Sequence, residues 1–516
     1  MEISNILAGE FGIKAEFSIN IINLIEEGNT IPFIARYRKE MTGSMDDQVL
    51  RDFSDRYAYL VGLNKRKEEV RASITEQGKW TDELDKALSA ALKLTEVEDI
   101  YRPFRPKRKT RASVAIEKGL QPLADIIYKQ DLQRGDIAEI AVGYVNEEKG
   151  VLAAEQAIEG AKDIIAETVS DDAAMRKALR EFFMAEGVLN TKLLENEKAA
   201  TYEMYKEYSE KVLGMPSHRI LAINRGEKEE CLKDLLSVPD DLAVEKICGK
   251  HVKMGSITSE IVKSAAEDAY KRLIFPSLER EVRNELTERA FEQAIKMFEL
   301  NLKPLLMQPP LKGKTVLALD PAYRTGCKVA EVDSKSNVLA TEVVYPTPPQ
   351  SRVLEAELKL MALINKHNVD VIAIGNGTAS KETEIFTAEM IKKIKRPLSY
   401  AIVNEAGASV YSASKLGAEE FPEFDVSLRS AVSIARRLQD PLAELIKIDV
   451  KSIGVGQYQH DMPEKRLTEV LSGVVEDCVN SVGVDLNTAS ASLLNYVAGL
   501  NNTVARNIIE YRKDKK

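Results

Sequence analysis

The stretch LALDPAYRTGCKVAEVD, residues 317–333, decides the fold, because it follows residue 311, where the sequence changes from a helical to a β-rich pattern. It joins two β-rich runs by turn residues, and NVLATEVVYP, residues 337–346, adds a third run of the same kind. Helical and β-rich segments then alternate as far as about residue 446. The predicted order of elements is therefore β-β-β-α-β-α-β-α.

The connections between these segments predict how the strands pair. Short links favour antiparallel pairing of the first three strands, and helical crossovers favour parallel pairing of the later ones. A mixed sheet of this kind is the ribonuclease-H-like arrangement. A plain doubly wound sheet is the alternative, and the three leading strands disfavour it.

Residues 1–310 are predicted to be almost entirely helical, since apolar residues recur there at spacings of three and four. The clearest helix starts at Pro276 and runs to about residue 304, as a spine between domains or an ordinary helix buried on one side. The fold class is thus multidomain and mainly α, with one α/β ribonuclease-H-like domain and a long central helix in the N-terminal region. We expect domains at residues 1–310, 311–455 and 456–516.

The charge balance limits the function. The chain has 72 Lys and Arg against 81 Asp and Glu, a net charge of −9, which excludes a uniformly basic nucleic-acid binder but not a local basic patch. The chain has no run of about 18 apolar residues, so no membrane span is predicted. Its N-terminus does not resemble a signal peptide. The four cysteines form no C-x-x-C pair, which argues against a zinc ribbon. We expect a cytoplasmic protein with no membrane partner.

A basic run, YRPFRPKRKTRA at residues 101–112, contains six basic residues and no acid. Tyr101 and Phe104 could stack on bases or pack inward. The run predicts local affinity for phosphates, and the alternative is a solvated loop paired with the nearby acids Glu96, Glu98 and Asp99. The predicted nucleic-acid contacts in this run are Arg102, Arg105, Lys107, Arg108, Lys109 and Arg111.

Two carboxylates lie where a ribonuclease-H-like nuclease would bind metal. Asp320 ends the first strand, and Glu405 follows the strand SYAIVN. Two-metal cleavage of a phosphodiester needs several converging carboxylates, but the start of the last helix offers Arg429 and Ser430 instead. An arginine there would partly take the charge role of a metal. We therefore expect Asp320 and Glu405 to form a degenerate site, with no firm catalytic or metal residue, no cofactor, and at most weak Mg²⁺ or Mn²⁺ binding.

A glycine-containing turn, IGNGTASKE at residues 374–382, joins a strand to a helix. Gly375 and Gly377 could cradle a phosphate there. An ordinary turn capped by Thr378 or Ser380 is the favoured interpretation.

The segment around Gly499 predicts a helix-hairpin-helix, in which two short helices joined by a tight loop bind phosphates without reading sequence. Asn487 or Thr488 can cap the first helix. The usual loop is Gly-hydrophobic-Gly, whereas this chain has Gly499, Leu500 and Asn501, and asparagine can adopt positive φ. A small packing hairpin is the alternative. The predicted nucleic-acid contacts are Gly499, Asn501 and Asn502.

With these segments, the chain resembles the Tex family of bacterial transcription accessory proteins over essentially its whole length. The stretches that carry the resemblance are TIPFIARYRKEMTG (30–43), EDIYRPFRPKRKTRASVAIEKGLQPLA (98–124), AAEQAIEGAKDIIAE (153–167), PSHRILAINRGEKE (216–229), DAYKRLIFPSLEREVRNELTERA (268–290), LALDPAYRTGCKVAEVD (317–333), IGNGTASKETE (374–384), VNEAGASVYSAS (403–414), SLRSAVSIARRLQDPLAELIKIDVKSIGVGQYQHD (427–461) and the hairpin region.

The resemblance implies a layout: a helical N-terminal region with a helix-turn-helix, a YqgF-type ribonuclease-H-like domain, helix-hairpin-helix motifs, and a terminal OB-fold RNA-binding domain. It also implies nucleic-acid binding in transcription without an established enzymatic activity. This sequence ends at Lys516, just after the first hairpin, with no OB-fold pattern. We therefore expect a C-terminally truncated member that binds nucleic acid more weakly.

The expected function is that of a sequence-nonspecific nucleic-acid-binding transcription accessory factor, non-catalytic in this form. Its expected partners are RNA or DNA, and RNA polymerase or ribosome-associated machinery. One alternative is a metal-dependent nuclease or resolvase that acts through the YqgF domain. A second alternative is a protein-interaction scaffold of the transcription machinery.

Overall fold

The computed structural model describes residues 2–106, 109–484, 486 and 489–514. The chain forms two compact units. The first consists mainly of Gln48–Glu292, together with Met41–Gly43 and the N-terminal segment up to Glu26. The second consists of the chain from Gln293 onward, together with Glu27–Glu40 and Ser44–Asp47.

Helices predominate up to residue 306, as the sequence predicts. A π-helical segment, Ala269–Ile274, joins the helices Ser259–Asp268 and Phe275–Leu306. In chain order the α-helices of this part are α1 (Ile3–Phe11), α2 (Ala15–Glu26), α3 (Ile31–Tyr37), α4 (Lys39–Thr42), α5 (Asp47–Glu76), α6 (Asp82–Ala90), α7 (Leu94–Tyr101), α8 (Arg111–Glu117), α9 (Gln121–Lys129), α10 (Ile137–Val142), α11 (Ala154–Ser170), α12 (Ala173–Glu186), α13 (Ser217–Lys228), α14 (Asp240–His251), α15 (Ser259–Asp268) and α16 (Phe275–Leu306).

The prediction that residues 1–310 are almost entirely helical is wrong at three places. Strands β1 (Val188–Leu193), β2 (Glu207–Lys211) and β3 (Leu232–Ser237) form an antiparallel sheet in the order β2-β1-β3. These strands are five or six residues long. They are also rich in Leu, Lys and Glu, which helices favour equally. Each strand is therefore too short for its two-residue alternation to be distinguished from the helical pattern around it.

The second unit contains the mixed sheet. Its strands are β4 (Val316–Asp320), β5 (Cys327–Val332), β6 (Val338–Val344), β7 (Val371–Gly375) and β8 (Ser399–Val403). The helices after β6 are α17 (Val353–His367), α18 (Ser380–Ile391), α19 (Ala408–Ala413), α20 (Lys415–Glu420), α21 (Val426–Gln439), α22 (Pro441–Leu445), α23 (Glu464–Val482), α24 (Ala491–Leu494) and α25 (Asn502–Asp514).

The sheet order β6-β5-β4-β7-β8 confirms the ribonuclease-H-like fold. As predicted, β4, β5 and β6 pair antiparallel, and β4, β7 and β8 pair parallel. One face packs on α21 through residues such as Ile434, and the other face packs on α17 and α18 through Leu360 and Met390. Because β4, β7 and β8 run in one direction, their carboxyl ends meet at a single edge of the sheet.

Helix α16 confirms the long central helix, since it begins one residue before Pro276 and continues to Leu306. Its inward face includes the fully buried Leu278, Val282 and Leu286. The boundary between the two compact units falls inside this helix, after Glu292. The three-domain division made from the sequence stays a prediction. Among the residues that the structure describes, no helix combines the length and the apolarity needed to cross a membrane.

A buried ion-pair cluster ties α7, α12 and α16 together within the first unit. The Arg176 side chain of α12 is completely buried, and its Nε lies 3.0 Å from Asp99 Oδ1 of α7. Its second amino group, Nη2, lies 2.5 Å from Glu281 Oε1 of α16. Arg180, one turn along α12, contacts the same two carboxylates at 2.9 and 2.8 Å. Each buried charge therefore depends on its partners for compensation.

Replacing Arg176 with alanine should destabilise the first unit by about 3–5 kcal/mol, because two largely buried carboxylates would lose a partner. Lys177→Ala is the matched control on the same helix, since Lys177 makes an exposed pair with Glu96. That variant should change little. Thermal and urea unfolding followed by circular dichroism compare the two, and equal effects would contradict the assigned importance of the cluster.

Candidate functional site

Asp320 and Glu405 come together at the carboxyl edge of the mixed sheet. Asp320 is the last residue of β4, and Glu405 lies two residues after β8. Burial raises the pKa of the Asp320 carboxyl above its usual range. Burial also raises the pKa of Glu405, and the nearby charge of Asp320 adds to that rise. The buried surroundings of the two carboxyls thus disfavour their ionised forms.

The glycine turn after β7 is filled by the Glu405 side chain. The Gly377 amide donates a hydrogen bond to the Glu405 carboxylate. A methyl group on Gly377 would lie 1.7 Å from Glu405 Oε1, and one on Gly375 would lie 2.5 Å from Oε2. The expected cap by Thr378 or Ser380 is wrong, because the N-cap residue of α18 is Ala379 and no side chain caps the helix. The phosphate cradle considered from the sequence is instead occupied by the protein's own carboxylate.

A hydroxyl takes the third place beside this pair. Ser430 of α21 donates a hydrogen bond to the Asp320 carboxylate. On the other side, Lys328 of β5 is paired in register with Asp320, and its positive charge partly offsets the rise in the Asp320 pKa. The structure therefore surrounds Asp320 with a neutral donor and a buried cation.

The expected role of Arg429 as a stand-in for a metal is wrong. Its Nε donates to the carbonyl of Phe421 at 3.0 Å, and its Nη1 donates to the carbonyl of Ser412 at 3.3 Å. These backbone acceptors hold the guanidinium in a packing role. An arginine two turns farther along α21 is the cation that acts on Glu405.

That cation is Arg437, which was not among the candidate residues predicted from the sequence. Its Nη1 donates to the carbonyls of Asn404 and Ala406, the neighbours of Glu405, at 2.8 and 2.7 Å. Burial lowers the pKa of Arg437 to about 10, and its charge lowers the pKa of Glu405. It has no distinctive sequence signal, because Arg436 beside it carries the same charge.

The donor set at this edge does not fit a two-metal nuclease. Across the described ranges, no three His, Cys, Asp or Glu side chains gather in a way that could hold a metal ion. Mg²⁺ prefers carboxylate oxygens in near-octahedral geometry, whereas the third position here is the Ser430 hydroxyl. Asp320 and Glu405 therefore lack the further carboxylate that two-metal hydrolysis needs.

The basic run has a paired member and an exposed part. Arg102 begins a short 3₁₀ turn, and its Nε lies 3.2 Å from Asp171 Oδ1. Arg105, Lys109 and Arg111 are exposed to solvent. The other two predicted contacts, Lys107 and Arg108, lie outside the residues that the structure describes.

The acids proposed to neutralise this run have other partners. Glu96 pairs with Lys177, and Glu98 pairs with Arg66. Asp99 belongs to the Arg176 cluster. These three acids therefore do not neutralise the exposed cations of the run, although the charge of Arg111 acts on Asp163. The binding role of the cations stays a prediction.

The hairpin has a shorter first helix than expected, because α24 is a single turn. Its cap is Ser490, whose side chain accepts a hydrogen bond from the Leu493 amide at 3.2 Å. The caps considered from the sequence, Asn487 and Thr488, lie outside the described residues. The loop itself turns at Gly499, whose φ of +87° is a conformation that glycine adopts at little cost.

Asn501 does not replace a second glycine as the sequence suggested. It does not occur among the described residues with positive φ. Its side chain instead accepts a hydrogen bond from the Val504 amide at 2.9 Å and so caps α25. Gly499, Asn501 and Asn502 are all exposed at the start of this helix, so the structure brings the three predicted contacts together.

A residue of α23 supports the loop from behind. Asn480 donates through Nδ2 to the Tyr496 carbonyl at 2.7 Å, and its Oδ1 accepts from the Ala498 amide at 2.8 Å. The loop is thus held in one conformation by both ends of a single amide. No local sequence pattern indicates this contact, since Asn480 lies sixteen residues before Tyr496.

Neutralising either carboxylate of the pair should stabilise the protein at neutral pH. Because the folded pKa is raised, ionisation of Asp320 or Glu405 costs stability as the pH rises above the unfolded value near 4. Asp320→Asn and Glu405→Gln should therefore raise the melting temperature by about 1–3 °C at pH 7, and the gain should vanish near pH 4.

Asp333→Asn is the control for this comparison. Burial alone would raise the pKa of Asp333, but hydrogen bonds from Asn337 hold it below its usual range. Its neutral variant should therefore lose stability at pH 7. Scanning fluorimetry from pH 4 to pH 8 measures all three variants, and a loss of stability in Asp320→Asn at neutral pH would contradict the argument.

Most of the chain matches known protein families. Residues 1–75 match the Tex-like protein N-terminal domain, and residues 133–298 match the Tex central region. Residues 314–439 match the Tex protein YqgF-like domain, and residues 479–516 match the helix-hairpin-helix motif.

Relatives cover nearly the entire chain. The uncharacterized protein YdcI of Bacillus subtilis is 51% identical over 98% of this chain and 71% of its own length. The transcriptional accessory protein Tex of Neisseria gonorrhoeae is 45% identical over 100% of this chain and 68% of its own length. The human S1 RNA-binding domain-containing protein 1 is 36% identical over 99% of this chain and 53% of its own length. On these matches, the chain belongs to the Tex family.

Proposed function

We propose that this chain is a sequence-nonspecific nucleic-acid-binding accessory factor of transcription that acts in the cytoplasm without catalysis of its own. The observation that carries the proposal is the hairpin, in which the exposed Gly499 turn leads directly into α25. The names of the gonococcal relative, a transcriptional accessory protein, and of the human relative, an S1 RNA-binding domain protein, support it.

The hairpin can bind phosphate through its backbone. The first amides of a helix lack partners within the helix, and the helix dipole favours an anion there. Asn501 uses its side chain to cap one of these amides, at Val504. A contact of this kind positions a sugar–phosphate backbone and reads no base.

The exposed part of the basic run is the second proposed contact. Since the chain carries a net charge of −9, attraction to phosphates must be local. Arg105, Lys109 and Arg111 provide such a surface in the first unit. RNA or DNA is the proposed partner, and RNA polymerase or ribosome-associated machinery is the proposed setting.

Replacing Gly499 with valine should weaken binding to single-stranded RNA at least about fivefold, because a β-branched residue is strained at positive φ. Gly313→Val is the matched control, since Gly313 has a φ of +74° and open space around it in the same unit. Fluorescence anisotropy at about 50 mM salt measures the difference. Equal binding by the two variants would remove the hairpin from the interface.

Changing Arg105, Lys109 and Arg111 together to glutamate should weaken binding to all sequences alike. The log–log dependence of affinity on salt should flatten by about two, since each lost phosphate contact removes roughly 0.7 from the slope on a single strand. The control changes three exposed lysines elsewhere in the first unit to glutamate and so reverses the same number of charges. These lysines are Lys65, Lys86 and Lys129. If that control flattens the slope equally, the effect is one of net charge and the basic run is not a contact.

A nuclease activity is the second candidate, favoured by the convergence of Asp320 and Glu405 at one edge of the sheet. The Ser430 hydroxyl in the third position weighs against it. The Asp320→Asn variant decides between the two functions. Cleavage of RNA or branched DNA that requires Mg²⁺ or Mn²⁺ and is lost in this variant would establish the nuclease and overturn the non-catalytic proposal.

A further inference from the structure

We propose that a cavity beside the basic run binds one unstacked nucleotide, with the base inside and the phosphate at the rim. The cavity lies within the first unit and has a volume of about 970 Å³. Its walls include Phe104, Arg105, Tyr128, Asp172 and His251. The inference rests on the proposed function, because nucleic acid bound along the basic run would present its bases next to this opening.

One wall of the cavity contains a buried histidine with a ring nitrogen that makes no hydrogen bond. His251 is only 8% exposed, and its Nδ1 is within hydrogen-bonding distance of the Tyr128 hydroxyl, at 2.8 Å. Its second ring nitrogen, Nε2, is buried and makes no hydrogen bond. A buried polar atom of this kind is normally satisfied by protein, water or ligand. The edge of a nucleobase carries donors and acceptors that would satisfy it.

Carboxylates predominate in the cavity, and their charge sets the orientation of the ligand. The acids that line it are Glu76, Glu167, Asp171 and Asp172, and the cations are Lys79 and Arg105. Asp172 lies next to His251, with 3.4 Å between its Oδ2 and the imidazole Nε2. A carboxylate repels phosphate but accepts hydrogen bonds from the amino groups of bases. At the rim, Arg105 is exposed, and a guanidinium suits a phosphate. The nucleotide therefore enters with its base first.

An aromatic side chain provides the stacking surface. Phe104 is half-buried and lines the cavity beside Arg105. Stacking on an aromatic ring accepts any base, so one such pocket is compatible with binding that is largely independent of sequence. Its backbone is held by Gln77, whose Nε2 donates to the Phe104 carbonyl at 2.8 Å.

The test compares two DNA strands of about twelve nucleotides, one of oligo-dA and one with the same backbone but abasic sites. Anisotropy measures their binding to the parent, to Phe104→Ala, and to the control Phe182→Ala. Phe182 is a half-buried phenylalanine of the same unit that does not line the cavity. Calorimetry with adenosine monophosphate distinguishes a free nucleotide from a nucleotide of a strand.

We expect oligo-dA to bind the parent about tenfold more tightly than the abasic strand, and Phe104→Ala alone to reduce that advantage about fivefold or more. Circular dichroism of both variants excludes a folding defect. Equal binding of the two strands would overturn the pocket and leave the proposed phosphate contacts intact. Binding of adenosine monophosphate that Phe104→Ala weakens, without binding of either strand, would support the pocket and overturn the proposed function. Absence of binding in every arm would overturn both.

Discussion

The completely buried guanidinium of Arg176 is the constraint on which the helical unit depends. It needs Asp99 of α7 and Glu281 of α16 at the same time, so these helices must meet α12 at fixed positions. Helix α7 leads directly into the basic run, and α12 begins directly after Asp171 and Asp172. The pairing therefore places both the exposed cations and the opposite wall of the neighbouring cavity. Packing alone would fix these segments less strictly, because apolar contacts are non-directional.

The fold was predictable where an apolar pattern continued over a long segment or was clearly bounded by turn residues. The mixed sheet could be predicted because buried strands separated by turns, and then by helices, allow few topologies. The sheet of β1, β2 and β3 could not, because its strands are short and resemble the surrounding helices in composition. The position of α16 was predictable from the regular spacing of apolar residues such as Leu278 and Leu286 after Pro276.

Less of the site was predictable. Asp320 and Glu405 were identified because strand ends in a parallel arrangement share an edge. Arg437 and Asn480 were missed, since each acts through backbone carbonyls or amides far away in sequence, and no local pattern encodes such a contact. Asn501 was assigned the wrong task for a related reason. Asparagine suits both a left-handed turn and a helix cap, and only the path of the backbone decides between them.

The two glycines after β7 have a consequence for redesign. Gly375 and Gly377 leave room for the Glu405 carboxylate, and a single methyl group at Gly377 would occupy the place of its Oε1. The two glycines therefore leave a space that fits this carboxylate, so the position of one acidic side chain is fixed by the backbone alone. An engineer who wishes to install a metal centre in this scaffold should keep both glycines and introduce the further ligands on the first turns of α21.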